Sequence, residues 1–179
     1  MEYKRLFIFV EGPDDERFFK KIVIPLFEST YDNIKIIKYA QESNKWRKNF
    51  LTSIILMNSD YIYVSDIDQE PCVTAKKQKI KTQLDNIDTN KITIVIKEIE
   101  SWYIALVCDE NSNPVGLKPL KIADDITKEE FNKLMPSKYD SRVDFMSEIL
   151  KITSHYVLSI AKQKNKSLKY FIEKYNLQN

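Results

Sequence analysis

Four short apolar runs alternate with segments of helical periodicity in the first hundred residues, and this alternation limits the possible folds. The first run, Leu6 to Val10, is apolar at every position, which is typical of a strand buried on both faces of a parallel sheet. The other three predicted strands are Ile34 to Tyr39, Asp60 to Ser65 and Ile92 to Ile96. The pattern predicts an α/β fold with a mainly parallel four-stranded sheet flanked by helices.

Local signals place helices between these strands. Pro13 suits the first turn of a helix that follows strand one, and the acids after it complement the helix dipole. Ser43 is expected to cap the helix that precedes strand three. A Lys-rich helix is predicted from Ala75 to Leu84. The lysines of the second run favour a position near the edge of the sheet.

The sequence changes character after Asp109. Residues 111–119 contain two prolines and a glycine and are predicted to form a loop. From Thr127 to Tyr175 the periodicity is helical, with a capping box at Thr127 and an expected cap at Ser167 for the last helix. These patterns predict a domain over residues 1–110 and a helical C-terminal extension, 111–179, packed on the same domain.

Acidic residues follow three of the predicted strands. Glu11 follows the first, Asp66 and Asp68 the third, and Glu98 and Glu100 the fourth. In a parallel sheet these positions share the carboxyl edge, where open α/β folds place their sites. Each acid alone also fits a helix cap or a solvated surface. Several carboxylates at one edge repel one another, so together they predict a site for Mg²⁺ or Mn²⁺, which can support phosphodiester chemistry.

Three segments resemble motifs of the Toprim superfamily. Val10 to Phe19 is similar to the first motif, an apolar strand followed by Glu-Gly and an acid that opens a helix. Tyr63 to Asp68 is similar to the second, an apolar strand that ends in Asp-x-Asp. Glu98 to Ile104 resembles a Glu-x-Glu segment of little-characterised Toprim-like proteins with helical tails. The resemblance covers about the first 110 residues and extends to nucleases of the overcoming-lysogenization-defect type.

The resemblance implies a Toprim/Rossmann-like fold and a division of roles among the acids. Glu11, Asp66 and Asp68 would be the catalytic and metal-binding residues, with Glu11 as general acid/base or metal bridge. Glu98 and Glu100 would complete a second metal position, as in the nuclease branch. Asp15 is a weaker candidate, and Gly12 would allow a tight turn beside the metal. The chain departs from many Toprim domains at residues 69–71, where Gln-Glu-Pro replaces an expected glycine.

Charge and composition leave the partners open. The net charge is +2, which neither marks nor excludes a nucleic-acid-binding protein. The lysines from Lys76 to Lys81 could contact phosphates or form a solvated helix face. No apolar run could span a membrane, and Cys72 and Cys108 follow no metal or redox spacing. We therefore expect a cytoplasmic protein with reduced cysteines. The Toprim resemblance implies nucleic acid as its partner, with a homo-oligomer or a partner protein as further options.

Two other classes of function stay open at the sequence level. A receiver-like signalling domain also has acids after strand one, an acid after strand three and a lysine after a later strand, a place that Lys97 could take. The number of acids exceeds what a phosphoacceptor pocket needs, and the Thr or Ser expected after strand four is absent. The second alternative is a non-catalytic Toprim-like module that binds metal or nucleic acid within a larger complex.

Overall fold

The computed structural model of the chain describes residues 3–151 and 154–177. The outer ends of the two predicted domains, residues 1–2 and 178–179, and residues 152–153 of the predicted helical region lie outside this description. Two compact units, Met1–Ile94 and Val95–Asn179, divide the chain. The predicted division into a domain over residues 1–110 and an extension over 111–179 packed on it stays a prediction.

A four-stranded parallel sheet forms the framework of the first unit, which confirms the predicted α/β fold of the Toprim/Rossmann-like kind. Its strands are β1 (Arg5–Val10), β2 (Asn33–Lys38), β3 (Asp60–Asp66) and β4 (Ile92–Val95), in the order β2-β1-β3-β4. All but the first residue of β1 are buried, as the continuous apolar run predicted. The predicted edge position of β2 is also confirmed, since its lysines are exposed at one side of the sheet.

Helices connect the strands of the first unit and pack on the sheet. They are α1 (Pro13–Phe18), which continues through a π-helical turn at Phe19–Val23 into α2 (Ile24–Phe27), then α3 (Asn44–Leu56) and α4 (Val73–Gln83). Ser43 caps α3 as predicted, because its hydroxyl accepts a hydrogen bond from the Trp46 N–H at 3.2 Å. Phe9 of β1 and Tyr63 of β3 belong to the same apolar core as Leu51 of α3 and Ile80 of α4.

The second unit is helical in its described part. Its helices are α5 (Glu100–Ala105), α6 (Asp109–Val115), α7 (Lys128–Leu134), α8 (Arg142–Ile149), α9 (His155–Lys164) and α10 (Lys166–Lys174). The capping box at Thr127 is present as predicted, with the Glu130 carboxylate accepting from the Thr127 N–H at 2.9 Å. None of the helices in residues 3–151 and 154–177 has the length and apolar character needed to cross a bilayer.

The loop predicted at residues 111–119 is wrong over its first part, because α6 runs from Asp109 to Val115. The helix is started by Asn111, whose buried side chain accepts from the Cys108 N–H at 2.8 Å and donates to the Leu106 carbonyl at 2.9 Å. It ends at Gly116, which adopts a left-handed φ of 76°. Pro114 is tolerated within this short helix, and its presence misled the prediction.

The expected cap of the last helix at Ser167 is also wrong. Asn165 caps α10, since its side-chain oxygen accepts from the Leu168 N–H at 2.9 Å and from the Ser167 hydroxyl at 2.8 Å. Its amide donates to the Ser101 hydroxyl at 3.1 Å, and the residue is 1% exposed. The cap of α10 is therefore part of a buried polar network rather than a local surface feature.

Removal of the two capping side chains should lower the free energy of unfolding by different amounts. Ser43→Ala removes one exposed hydrogen bond and should lower the free energy of unfolding by about 1 kcal/mol. Asn165→Ala also removes one of the hydrogen-bond partners of each of the buried hydroxyls of Ser101 and Ser167 and should cost about 2–3 kcal/mol. Urea unfolding of both variants measures the difference, and equal losses would show that the buried network around Asn165 adds nothing to the cap.

Candidate functional site

The parallel pairing of β1 with β3 places two of the predicted site residues side by side. In the register of these strands Phe9 lies opposite Tyr63, so the chain reaches Glu11 and Asp66 at the same carboxyl edge. After β1 the chain adds β2 on one side of β1 and then crosses to β3 on the other. Glu11 and Asp66 therefore lie at the point where the strand order reverses, which is the usual place for a site in an open α/β sheet.

Three hydrogen bonds fix one oxygen of the Glu11 carboxylate. Oε1 accepts from the Ser65 hydroxyl at 2.8 Å, from the Asp66 N–H at 3.0 Å and from the Tyr39 hydroxyl at 3.2 Å. All three donors are uncharged. Among the described residues, Oε2 accepts no hydrogen bond and Glu11 forms no ion pair. Glu11 is thus a half-buried, oriented carboxylate whose charge no side chain in the described ranges neutralises.

A buried aromatic pair supports Glu11 from behind. The Tyr39 ring stacks on Tyr63 with ring centroids 4.6 Å apart, and Arg47 donates to the Tyr63 hydroxyl at 3.0 Å. The Tyr39 hydroxyl shares its proton between Glu11 and the Val64 carbonyl, which lies closer at 2.8 Å. Burial raises the pKa of Tyr39 well above its usual range, and the nearby Tyr63 and Glu11 raise it further. Tyr39 consequently remains a neutral donor over the physiological pH range.

The Asp-x-Asp loop has a different kind of support. Asp68 adopts a left-handed φ of 52°, a conformation that Asp and Asn tolerate better than most residues. Its carboxylate forms an ion pair with the Lys76 ammonium of α4. The Lys76 side chain is 7% exposed, whereas that of Asp68 is 57% exposed. A second ion pair, Lys79 with Glu70, ties the same loop to α4.

The lysine-rich helix therefore contacts its own chain at several points. Besides Lys76 and Lys79, Lys81 donates to the carbonyls of Asp85 and Ile87. Lys77 is half-buried, and burial lowers its pKa. These contacts explain the conformation of the segment, and contact of its lysines with nucleic-acid phosphates stays a prediction.

Two further residues of the first motif have local structural roles. The buried Asp15 carboxylate accepts from the Gly12 N–H at 3.0 Å and so caps α1. The chain bends at Gly12 as expected, but the turn does not require glycine, because the Gly12 backbone has an extended φ of −144°. A Cβ added there would lie 3.8 Å from the nearest side-chain atom, an ordinary contact.

Glu98 and Glu100 belong to the second unit and have partners within it. The Glu98 carboxylate accepts from the Lys128 N–H at the start of α7. Glu100 is 4% exposed and forms an ion pair with Arg142 at 2.7 Å. These contacts give both acids a structural role, and their service as ligands of a second metal stays a prediction.

The residues that hold the acids in place were not predicted as site residues. Ser65 and Tyr39 fix Glu11, and Lys76 pairs with Asp68. Ser65 directly precedes Asp66 at the end of a buried strand, which is a usable signal. No group of three or more His, Cys, Asp or Glu side chains in residues 3–151 and 154–177 is arranged to hold a metal.

Comparison with known proteins gave one likeness and no family. No protein-family model matches the chain, and no curated protein sequence matches it. The C-terminal region of the Burkholderia pseudomallei OLD protein is similar in structure, with a TM-score of 0.47 and 16% sequence identity. The match covers 98% of this chain and 100% of that chain. Values this low assign neither a family nor an activity to the protein.

The ion pair of Asp68 with Lys76 predicts a measurable coupling. Asp68→Asn keeps the left-handed backbone accessible but leaves a buried ammonium without its partner, so it should cost about 1–2 kcal/mol of unfolding free energy. Lys76→Met removes the buried charge and should cost less. In the double variant the cost of Asp68→Asn should largely disappear, and urea unfolding of the four proteins measures this coupling.

The pair Lys79 with Glu70 is a matched control in the same loop. Lys79 is exposed, so the cycle of Lys79→Met and Glu70→Gln should give a smaller coupling than that of the buried pair. Equal couplings in both cycles would contradict the importance of burial at Lys76.

Proposed function

We propose that the chain is a Mg²⁺-dependent phosphoryl-transfer domain, specifically a nuclease that acts on DNA or RNA phosphodiesters. The observation that carries the proposal is the Glu11 carboxylate, which neutral donors orient and which no lysine or arginine among the described residues neutralises. A half-buried carboxylate that is held in one orientation, and has one oxygen that accepts no hydrogen bond, favours the binding of a cation from solution. The reaction class comes from the resemblance of Glu11-Gly12 and Asp66-x-Asp68 to the Toprim motifs.

The chemistry of the donor set fits a hard divalent cation. Glu11, Asp66 and Asp68 offer carboxylate oxygens, which Mg²⁺ and Mn²⁺ prefer over nitrogen or sulfur ligands. In the described ranges Glu11 Oε2 accepts no hydrogen bond, Asp66 is half-buried like Glu11, and the Asp68 side chain is 57% exposed. Glu98 and Glu100 stay candidate ligands on the strength of the sequence motif alone.

Each residue has a distinct task in this proposal. Glu11 keeps Oε1 bound to Ser65, Tyr39 and the Asp66 N–H, so Oε2 is held ready to bind the cation or to exchange a proton with the attacking water. Asp66 and Asp68 hold the cation. When bound, Mg²⁺ supplies electrostatic stabilisation of the phosphoryl oxygens and a more acidic water. Lys76 positions Asp68 through their ion pair.

The decisive variant is Glu11→Gln, which preserves size and removes the charge. We expect it to lower Mn²⁺ affinity at least about tenfold and to abolish Mg²⁺-dependent cleavage of single- and double-stranded DNA and RNA. Isothermal titration with Mn²⁺ and gel assays of labelled oligonucleotides measure the two effects. Glu28→Gln is the matched control, because Glu28 is exposed and lies away from the carboxyl edge.

The results separate the proposal from its rivals. Cleavage that persists in Glu11→Gln would overturn the assignment of this residue. Mn²⁺ binding that depends on Glu11, without cleavage of any nucleic acid, would replace the nuclease with a non-catalytic binding module. Stable labelling of Asp66 by acetyl phosphate would instead support a receiver-like domain.

A further inference from the structure

A concave surface lies within the first unit, at the edge of the sheet opposite the one that carries Glu11. A cleft of about 390 Å³ is lined by residues that precede or begin the strands, including Tyr3 to Arg5, Tyr31, Asp60 and Lys91. Strand β1 runs for six residues from Arg5 to Val10, so roughly 20 Å separates this cleft from Glu11. The cleft is therefore distinct from the proposed metal site and needs its own explanation.

Of the charged side chains that line the cleft, some form ion pairs and others do not. Asp60, the carboxylate among the described residues that line the cleft, accepts from Lys91 at 3.0 Å and from the Tyr31 hydroxyl at 3.0 Å. Lys4 and Arg5 are exposed, and neither forms an ion pair with a residue of the described ranges. Among the described residues, Lys4, Arg5 and Lys91 outnumber the nearby carboxylates of Asp60 and Asp32, the latter accepting from the Lys4 N–H at 2.8 Å, and this excess of positive charge attracts an anionic ligand.

Aromatic rings accompany these cations. Tyr3 is 58% exposed, and the Arg5 guanidinium lies over its ring at 5.2 Å from the centroid. Tyr31 is held in place by its hydrogen bond to Asp60 and by edge-to-face contact with Phe27, with ring centroids 5.9 Å apart. An exposed ring beside a guanidinium can stack with a flat heterocycle, while a fixed ring offers a wall for it.

We propose that this cleft binds a nucleotide, with its base against Tyr3 and its phosphate at Lys4 and Arg5. The combination of aromatic and cationic groups explains the choice, because inorganic phosphate would not use the rings and an apolar ligand would not use the charges. The volume lies within the range of small-molecule sites, about 300–1,000 Å³. The nucleotide is either free in solution or the terminal unit of a nucleic-acid strand, and both present the same chemistry.

The test titrates the whole chain, in EDTA, with AMP, CMP, adenosine and inorganic phosphate. We expect AMP to bind at about 1 mM or tighter and adenosine and phosphate to bind about tenfold more weakly. Arg5→Gln and Tyr3→Leu should each weaken AMP about tenfold. Lys35→Gln, which changes an exposed lysine on β2 that does not line the cleft, should leave the affinity unchanged.

Further binding measurements identify the source of the nucleotide. They also test the cleft independently of the proposed nuclease function. A dinucleotide with a terminal phosphate that binds more tightly than AMP supports the end of a strand, and equal affinity supports a free nucleotide. AMP affinity should be unchanged in Glu11→Gln. The cleft assignment would be overturned by any one of three results. These are no binding of AMP, binding of inorganic phosphate as tight as that of AMP, and loss of AMP binding in Glu11→Gln. Retained AMP binding without nuclease activity would overturn only the proposed function.

Discussion

The parallel register between β1 and β3 is the constraint on which the site depends. Phe9 lies opposite Tyr63, and two residues further on Glu11 meets the Asp66 N–H at 3.0 Å. A slip of one residue would exchange the side chains on the two faces of a strand, and because both faces are buried it would disturb the packing on each. The pairing and packing of the two strands thus fix the position of Glu11 relative to Asp66.

The chain supports the carboxylates of Glu11 and Asp68 in physically different ways. Glu11 is held by hydroxyl and amide donors, which orient the group without offsetting its charge. Asp68 is held by the ammonium of Lys76, which offsets the charge as well as fixing the position. An incoming cation would gain full electrostatic attraction at Glu11 and would compete with a resident amine at Asp68. Unequal contributions of the two acids to cation affinity follow from this difference.

The sequence was sufficient where local pattern decides structure. The apolar run from Leu6 to Val10 predicted a central strand, and the lysines of β2 predicted its edge position. The sequence was insufficient where a buried polar side chain contacts residues that lie far away along the chain. Asn165 caps α10 while bonded to Ser101, 64 residues earlier, and no local pattern distinguishes it from the expected cap Ser167. Tyr39 likewise depends on stacking with Tyr63, a contact set by the tertiary fold.

The ion pair between Asp68 and Lys76 has a consequence for the order of events in ligand capture. Ordering a loop residue costs roughly 1–2 kcal/mol of conformational entropy, and a loop shaped only by its ligand must lose that freedom when the ligand arrives. Here α4 provides an internal counter-ion, so the segment after β3 loses this freedom when the chain folds. A cation that binds at Asp68 would then meet a backbone already in place and a second carboxylate oxygen that Lys76 does not contact. Association would accordingly depend little on loop motion.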